Sequence, residues 1–349
     1  MNAGDQNTVS REMKKIVIVT DTWSPQINGV VRVLQALIPR LEARGYAVTL
    51  IEPGQFKTVP LPFYSEVRLA LFPRHRIVQI LDTVQPDAVC IVTEGPLGWA
   101  ARGVCMQSNR PFVTWYHSHF QLYVDVRLHG LLAPIHAALK RFHSTAVATM
   151  VSTESLRKEM LSVGFKNLLI MPLGVDTKLF VRNPTPPIPL FPKPIFVYFS
   201  RLATEKSPEE FLKLKLPGTK LVIGDGPLRA KLEKIYGTSH HFVGYKRGQE
   251  LVDWLSCADV FIFPSRTETF GLVALEALAC GIPVAAHRVM GPRDIITEGK
   301  DGYLSDDLQE AAIKCLELSP EECRKKALLY SWERSVDAFI KNMSESVVR

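Results

Sequence analysis

Short β-branched runs that alternate with helical segments constrain this fold more than any other feature of the sequence. The first two runs are Lys15–Thr20 (KIVIVT) and Ala47–Ile51 (AVTLI), and an amphipathic helical pattern over Val30–Arg44 separates them. Buried strands of parallel sheets are near-continuous apolar runs of this kind, because helices cover both faces of the sheet. The strand–loop–helix–strand unit therefore predicts an α/β fold built on parallel sheets.

The same unit recurs on both sides of a proline-rich segment. Residues 184–194 (PTPPIPLFPKP) contain six prolines, which neither a helix nor a central strand accommodates. Before this segment the predicted strands continue with Ala88–Val92, Phe112–Tyr116, Ala146–Val151 and Leu168–Met171. After it they are Ile195–Phe199, Lys220–Ile223, His241–Val243, Val260–Phe263 and Pro283–Ala286. We therefore predict two parallel-sheet domains, 1–180 and 195–330, a linker at 181–194, and a C-terminal helix at 331–349 that returns to the first domain.

Composition and charge exclude several classes of protein. No run of 18 apolar residues predicts a membrane-spanning helix, and the polar N-terminus does not have the pattern of a signal peptide. Six scattered cysteines without a CxxC motif favour a cytoplasmic protein with reduced thiols. Residues 1–180 carry 19 Lys and Arg against 13 Asp and Glu (+6), of a total net charge of +7. A basic half attracts phosphorylated ligands or anionic membranes; without nucleic-acid-binding motifs, we expect no nucleic-acid partner.

Two loops that follow predicted strands of the second domain carry the strongest candidate residues. Ligands of open parallel sheets bind beyond the carboxyl ends of strands, near helix N-termini. Residues 264–271 (PSRTETFG) follow one strand and place Glu268 and Gly271 before a helix that contains Glu276. Carboxylates at these positions accept hydrogen bonds from sugar hydroxyls, and N–H groups at a helix start face an anion. The alternative is that Glu268 is a loop acid and Glu276 a solvated helix residue.

The loop after Ile195–Phe199, residues 200–206 (SRLATEK), offers two cations. Arg201 and Lys206 at a strand end suit a diphosphate, the first as a planar fork and the second as a point charge. Alternatively, both are surface cations paired with nearby glutamates. The turn at 224–227 (GDGP) and Tyr245 after the next strand add weaker signals.

Taken together, these motifs resemble the family 4 retaining glycosyltransferases of GT-B fold. The resemblance covers residues 14–335 and includes SPQINGVVRVL, TEGPLG and FVTWYHSHF in the first half. It is strongest to members that glycosylate lipids: α-mannosyl-, glucosyl- and sulfoquinovosyl-transferases. The resemblance implies two Rossmann-like domains that face each other across a cleft, the first binding the acceptor and the second the nucleotide sugar.

The resemblance also implies a role for each matching residue. Arg201 and Lys206 would neutralise the donor diphosphate, Glu268 would bind the donor sugar, and Glu276 the ribose. His117 would lie beside the transferred sugar, with His119 and a core histidine as the alternatives. The implied donor-binding residues are Gly29, Gly224, Tyr245, Phe270, Gly271, Leu272 and Glu276. Fixed cations replace a metal in this scheme, and no Asp-x-Asp motif lies near the loops, so we expect neither a metal nor another cofactor.

The expected acceptor is a lipid such as diacylglycerol, held by the first domain. Glu94 and Trp99 in the TEGPLGW loop are candidates for its site. Apolar residues at helical spacing between Leu128 and Phe142, with interspersed cations, form a basic amphipathic segment that either rests on an anionic membrane or packs on the sheet. We therefore expect a cytoplasmic protein in peripheral contact with the inner face of the membrane.

Several alternatives and one departure remain open at this level. The acceptor could be a polysaccharide or lipopolysaccharide, and the same fold also serves nucleotide-sugar epimerases, phosphorylases and non-catalytic nucleotide-sugar-binding proteins. His287 and Arg288 depart from the family pattern, in which smaller or less charged residues are frequent, and would alter the donor pocket. The sequence does not distinguish UDP from GDP donors.

Overall fold

The computed structural model describes residues 14–26, 28–61, 64–117 and 132–347. The described residues of the first half form eight strands: β1 Lys15–Val19, β2 Ala47–Ile51, β3 Thr58–Leu61, β4 Tyr64–Ala70, β5 Ala88–Ile91, β6 Val113–Tyr116, β7 Ala148–Val151 and β8 Leu168–Ile170. The helices described between them are α1 Gly29–Ala43, α2 Arg74–Val84, α3 Pro96–Gln107, α4 Leu132–His143 and α5 Glu154–Ser162.

Six of these strands form the first sheet, in the order β2-β1-β5-β6-β7-β8. Strand β1 pairs in parallel with β2 and β5, and β5 pairs in parallel with β6. Every residue of β5, β6 and β7 is buried, as expected for strands covered by helices on both faces. The remaining strands, β3 and β4, pair only with each other, as an antiparallel hairpin that sequence patterns did not predict.

The second half of the chain holds a second sheet of the same kind. Its strands are β9 Ile195–Phe199, β10 Thr219–Ile223, β11 His241–Gly244, β12 Val260–Phe263, β13 Val284–Ala286 and β14 Gly302–Leu304, in the order β11-β10-β9-β12-β13-β14. All pairings in this sheet are parallel. Its helices are α6 Pro208–Lys213, α7 Arg229–Tyr236, α8 Gly248–Ser256, α9 Leu272–Ala279, α10 Pro292–Ile295, α11 Leu308–Cys315, α12 Pro320–Leu328 and α13 Trp332–Val347.

The predicted α/β fold with two parallel sheets is therefore confirmed. Contacts divide the chain into a first unit, which holds the residues up to Trp115, Phe142–Thr149 and those from Ile340 on, and a second unit of Tyr116–Arg141 and Met150–Phe339. Residues 181–194 form neither helix nor strand, and the domain boundaries placed around them remain a prediction. Among the described residues, no helix is both long and apolar enough to cross a membrane.

Candidate functional site

The second sheet has a topological switch point between β9 and β12. From β9 the chain continues to β10 on one side of the sheet, and it later returns to β12 on the other side. Crevices beyond the carboxyl ends of strands at such a point are where open α/β sheets bind ligands. The two loops singled out from the sequence, 200–206 and 264–271, follow these two strands.

Side-chain hydroxyls bind the two loops together. The Oγ of Ser265 and the Oγ1 of Thr267 each donate to the carbonyl oxygen of Glu205 at 3.2 Å. On the other side of the first loop, the hydroxyl of the buried Tyr198 donates to the carbonyl oxygen of Arg201 at 3.0 Å, and burial raises the pKa of that phenol. These hydrogen bonds therefore hold the backbone of the loop that carries the half-exposed Arg201.

Lys206 and Glu268 form an ion pair across the same two loops. The ammonium Nζ of Lys206 donates to Oε1 of Glu268, and their side chains are 21% and 12% exposed. Sequence reasoning assigned the two residues to different parts of a donor. The structure brings them together, so each compensates the charge of the other.

Glu276 lies on α9, immediately beyond the second loop. It is only 5% exposed, which excludes the interpretation of a solvated helix residue. Gly271 precedes the helix with φ +93°, and a Cβ there would lie 2.9 Å from the ring of Phe263. A left-handed residue in such close contact requires glycine.

Other predicted donor residues have structural roles of their own. Gly224 has φ +148°, and a Cβ there would lie 2.0 Å from the carbonyl oxygen of Ser200, so packing between two loops already requires this glycine. The side chain of Phe270 is buried edge-on against Tyr330, which leaves only its backbone available to a ligand. Tyr245 is exposed after β11, and Leu272 is half-buried at the start of α9.

His117 follows β6 and belongs to the second unit. Its carbonyl oxygen accepts a hydrogen bond from Oγ1 of Thr269 at 2.9 Å, which ties it to the loop of Glu268. Burial of the imidazole lowers the pKa of His117 to about 3, so the ring is neutral at neutral pH. The alternative candidate, His119, lies outside the described residues.

A second charged cluster next to the two loops was not predicted as such. His287, fully buried after β13, contacts the carbonyl oxygen of Ser305 through Nδ1 at 3.1 Å and Oε1 of Glu210 through Nε2 at 2.7 Å. Arg266 donates to the same Glu210 oxygen at 3.3 Å. His287, at one of the two positions that depart from the family pattern, therefore connects the segments after β13 and β14 with α6. Arg288, at the other, pairs with Glu298.

The first sheet has its own switch point, between β1 and β5. Asp21, after β1, accepts hydrogen bonds from the N–H groups of Leu97 (2.7 Å) and Gly98 (3.2 Å) at the start of α3. Burial raises the pKa of this carboxyl, and the two N–H groups oppose the increase. A Cβ at Gly95 would lie 2.4 Å from Cγ of Asp21. Sequence reasoning missed Asp21, although its position at a strand end was a signal.

Glu94 and Trp99, the predicted acceptor residues, belong to this region of the first unit. Oε1 of Glu94 lies 3.2 Å from Nε2 of the buried His143, whose Nδ1 lies 2.9 Å from Oγ1 of Thr114. The exposed indole of Trp99 packs edge-on against Phe142, 5.1 Å between ring centroids. The carboxylate of Glu94 and the ring of Trp99 are therefore both held in place by contacts with buried residues.

Gly29 begins α1 after Asn28, whose Oδ1 accepts from the N–H of Val31 at 3.0 Å. A Cβ at Gly29 would meet nothing within 4 Å, so packing does not require glycine at this position. This distinguishes Gly29 from Gly224 and Gly271.

The described part of the basic amphipathic segment is an ordinary packed helix. In α4, Leu139 is buried, Ile135 packs beside it in the cluster around Val151 and Leu156, and Phe142 is fully buried in the core of the first unit. These three apolar side chains therefore pack inside the protein. Leu128 and Leu131 lie outside the described residues.

Comparisons with known proteins agree with this arrangement. The model of Glycosyltransferase Family 4 matches residues 27–179, and that of Glycosyl transferases group 1 matches residues 187–326. A sulfoquinovosyl transferase of Arabidopsis thaliana is 30% identical, over 89% of this chain and 67% of its own. A GDP-mannose-dependent phosphatidylinositol dimannoside mannosyltransferase of Mycobacterium tuberculosis is 28% identical, over 96% and 97%.

An alpha-monoglucosyldiacylglycerol synthase of Streptococcus pneumoniae is 25% identical over 95% of this chain and 85% of its own. Among solved structures, sucrose-phosphate synthase from Thermosynechococcus elongatus superposes with a TM-score of 0.75 at 20% identity, and covers 94% of this chain and 98% of that one. The chain therefore belongs to the family 4 glycosyltransferases and is a nucleotide-sugar-dependent hexosyltransferase of GT-B fold.

Proposed function

We propose that the protein transfers a hexose from a UDP- or GDP-sugar to a lipid acceptor such as diacylglycerol, with retention of the anomeric configuration. The observation that carries the proposal is the position of Arg201, Lys206, Glu268 and Gly271 on the loops that flank the switch point of the second sheet. Cations and helix N–H groups at such a point suit a diphosphate.

On this proposal Arg201, Lys206 and the N–H groups at the start of α9 hold the donor diphosphate. The family resemblance assigns Glu276, which is 5% exposed, to the ribose hydroxyls, from which a carboxylate accepts hydrogen bonds. Glu268 binds hydroxyls of the sugar. The family resemblance adds donor contacts from the backbone of Phe270 and Leu272, and from Gly29, Gly224 and Tyr245.

The reaction breaks the bond between the anomeric carbon and the diphosphate oxygen. The acceptor hydroxyl forms the new bond on the same face of the sugar, and its proton passes to the departing phosphate. Arg201 and Lys206 stabilise the negative charge that develops there, which is the main catalytic contribution. His117, being neutral, takes part as a hydrogen-bonding group beside the sugar and not as a cation.

These fixed cations perform the charge stabilisation for which other enzymes use a divalent ion, so we propose that transfer is metal-independent. Turnover in an excess of chelator should equal turnover in added Mg²⁺ or Mn²⁺. A requirement for either ion would refute this part of the proposal and would leave the donor site intact.

The lipid acceptor is supported by two relatives whose names specify phosphatidylinositol dimannoside and diacylglycerol. In this chain Glu94 would accept a hydrogen bond from the acceptor hydroxyl, and Trp99 would cover its apolar part. Such an acceptor places the enzyme at the periphery of a membrane, on its cytoplasmic face.

A direct assay tests the proposal. UDP-glucose, UDP-glucuronate and GDP-mannose are each incubated with the protein and diacylglycerol, and the product is identified by mass spectrometry and its anomeric configuration by NMR. Arg201→Ala and Lys206→Ala should each lower turnover about 100-fold by removing stabilisation of the leaving group. A β-linked product would refute retention. Donor binding without any transfer, to diacylglycerol or to polysaccharide, would identify a non-catalytic binding protein.

A further inference from the structure

The last two residues of α4 support both candidate acceptor residues of the first unit. The ring of Phe142 is fully buried and packs edge-on against Trp99, with 5.1 Å between the ring centroids. Its neighbour His143, which is 3% exposed, contacts the carboxylate of Glu94 through Nε2 at 3.2 Å. Two adjacent residues of the core therefore fix a carboxylate and an aromatic ring that lie five residues apart in sequence.

Arg102 adds a second contact to the indole of Trp99. The Cζ of Arg102 lies 5.3 Å from the centroid of the Trp99 ring, and its Nε donates to the carbonyl oxygen of Phe142 at 3.0 Å. A cation in this position is attracted by the face of the indole. The exposed ring of Trp99 therefore contacts two buried side chains, which limit its rotation.

A chain of hydrogen bonds continues from His143 into the core. Its Nδ1 lies 2.9 Å from Oγ1 of Thr114 on β6, and that oxygen lies 2.9 Å from Oγ1 of Thr149 on β7. Both threonines are fully buried. Buried hydroxyls and ring nitrogens require hydrogen-bonding partners, and the chain provides them. It links two neighbouring strands of the first sheet to the carboxylate of Glu94.

The carboxylate determines the direction of these hydrogen bonds. An ionised carboxylate only accepts, so Nε2 of His143 must carry a hydrogen and donate to Oε1 of Glu94. In the neutral ring Nδ1 then has no hydrogen and accepts from Thr114, whose oxygen in turn accepts from Thr149. A protonated ring also donates through Nε2. The imidazole therefore holds Oε1 of Glu94 in either protonation state.

The other oxygen of Glu94 has a different environment. The side chain is 19% exposed, and within the described parts of the chain Oε2 makes no hydrogen bond. The backbone of the loop is fixed as well, because Asp21 accepts from the N–H groups of Leu97 and Gly98. A carboxylate that has one oxygen bonded to the core, on a fixed backbone, is preorganised to accept a ligand hydroxyl with the other.

We propose that His143 is a positioning residue of the acceptor site. It holds Oε1 of Glu94, so that Oε2 accepts a hydrogen bond from the acceptor hydroxyl. Phe142 and Arg102 hold the ring of Trp99 against the apolar part of the same acceptor. The inference rests on the proposed function, because it requires transfer to an acceptor with a hydroxyl group. A histidine that only filled the core would affect stability and not the binding of the acceptor.

The test compares His143→Leu with His143→Gln in the lipid glycosylation assay, with diacylglycerol in detergent micelles. Leucine fills most of the volume but donates no hydrogen bond, whereas the amide nitrogen of glutamine replaces Nε2 as the donor to Glu94. His143→Leu should raise the KM for diacylglycerol about tenfold, the effect of losing one hydrogen bond to a charged group. The KM for the sugar donor, and the rate of donor hydrolysis without acceptor, should remain those of wild type. His143→Gln should restore most of the KM for diacylglycerol.

His287→Leu is the matched control. His287 is fully buried in the second unit, where its Nε2 contacts Oε1 of Glu210 at 2.7 Å. The substitution therefore removes the same kind of buried contact between a histidine and a glutamate. Both leucine variants should lower the thermal midpoint, but His287→Leu should leave the KM for diacylglycerol unchanged.

Nitrogen-15 NMR of the histidine side chains tests the direction of the hydrogen bonds without any substrate. The signals that disappear in His143→Gln belong to His143, and their couplings to the ring protons show which nitrogen carries the hydrogen. We expect a hydrogen on Nε2, with a chemical shift that changes in Glu94→Gln.

Three results would overturn the proposal. The hydrogen could lie on Nδ1 of His143 alone, or the KM for diacylglycerol could be the same in His143→Leu and His287→Leu. Donor hydrolysis could instead fall together with transfer in His143→Leu, which would make His143 a purely structural residue. Failure of the proposed function has a different signature, because wild type itself would then form no glycosylated lipid.

Discussion

The ion pair between Lys206 and Glu268 offers the sharpest test of the site. The perturbation is a double-mutant cycle of Lys206→Met and Glu268→Gln, which removes each charge while conserving most of the volume. The pair joins the loops after β9 and β12. Its coupling energy therefore measures how much the interaction of the two charges stabilises the contact between these loops.

The exposed fractions of the two side chains determine how large a loss of unfolding free energy we expect from each substitution. Removing one partner of a fully buried pair costs about 3–5 kcal/mol, whereas exposed pairs contribute about 0–1 kcal/mol. At 21% and 12% exposure the pair lies between these limits. We therefore expect each single substitution to lower the free energy of unfolding by about 2 kcal/mol, because it leaves a poorly solvated charge. The double variant should lose no more than about 2 kcal/mol, which gives a coupling of at least about 2 kcal/mol.

Urea unfolding of the four proteins provides the coupling energy, and donor turnover is measured on the same samples. Lys206→Met should also lower kcat about 100-fold. The matched control is the exposed helical pair Lys314–Glu310, for which the same two substitutions should show no coupling beyond experimental error. Additive losses at Lys206 and Glu268, with turnover unchanged, would refute the reasoning.

Three further predictions concern single residues of the second unit. Burial lowers the pKa of His117 to about 3, so between pH ~6.5 and ~3 the unfolded chain binds a proton that the native imidazole does not, and stability falls as the pH falls through this range. Urea titrations should show wild type losing about 1.4 kcal/mol per pH unit more than His117→Asn, and equal slopes would disprove the shift. Gly224→Ala should cost about 3 kcal/mol in chemical unfolding, since its Cβ would overlap the Ser200 carbonyl; a cost below about 1 kcal/mol would contradict the geometry. His287→Leu removes the buried imidazole that contacts Glu210, and it should cost about 2 kcal/mol and raise the KM for the sugar donor. His287→Gln should restore part of both, and wild-type values in His287→Leu would refute the link.

Sequence patterns predicted the sheets well because buried parallel strands have a strong local signal. Ile195–Phe199 and Val260–Phe263 have the predicted bounds, since each is a continuous apolar run between turn residues. The hairpin β3–β4 escaped prediction because Pro60 interrupts its first strand and argues against a central strand. The structure accommodates Pro60 in a two-stranded ribbon, where it lies opposite Arg68.

The positions of the site loops were predictable, but their interactions were not. The rule that ligands bind beyond strand ends selected the loops of Arg201 and Glu268 without any knowledge of contacts. Lys206 and Glu268 are 62 residues apart in sequence, and Glu210 and His287 are 77 apart. No local pattern encodes such pairs, because only the strand order brings their loops together.

The ion pair between Lys206 and Glu268 indicates the order in which the proposed contacts with the sugar donor form. A donor diphosphate that binds Lys206 competes with Glu268 for its ammonium group. A diphosphate carries more negative charge than one carboxylate, so electrostatics favour the exchange. The exchange releases Glu268, whose oxygens then become available to the hydroxyls of the sugar attached to that diphosphate. One exchange of partners at Lys206 therefore forms the contact with the diphosphate and makes Glu268 available to the sugar. A free nucleoside monophosphate, with fewer charges and no sugar, should make this exchange poorly and should bind more weakly than the intact donor.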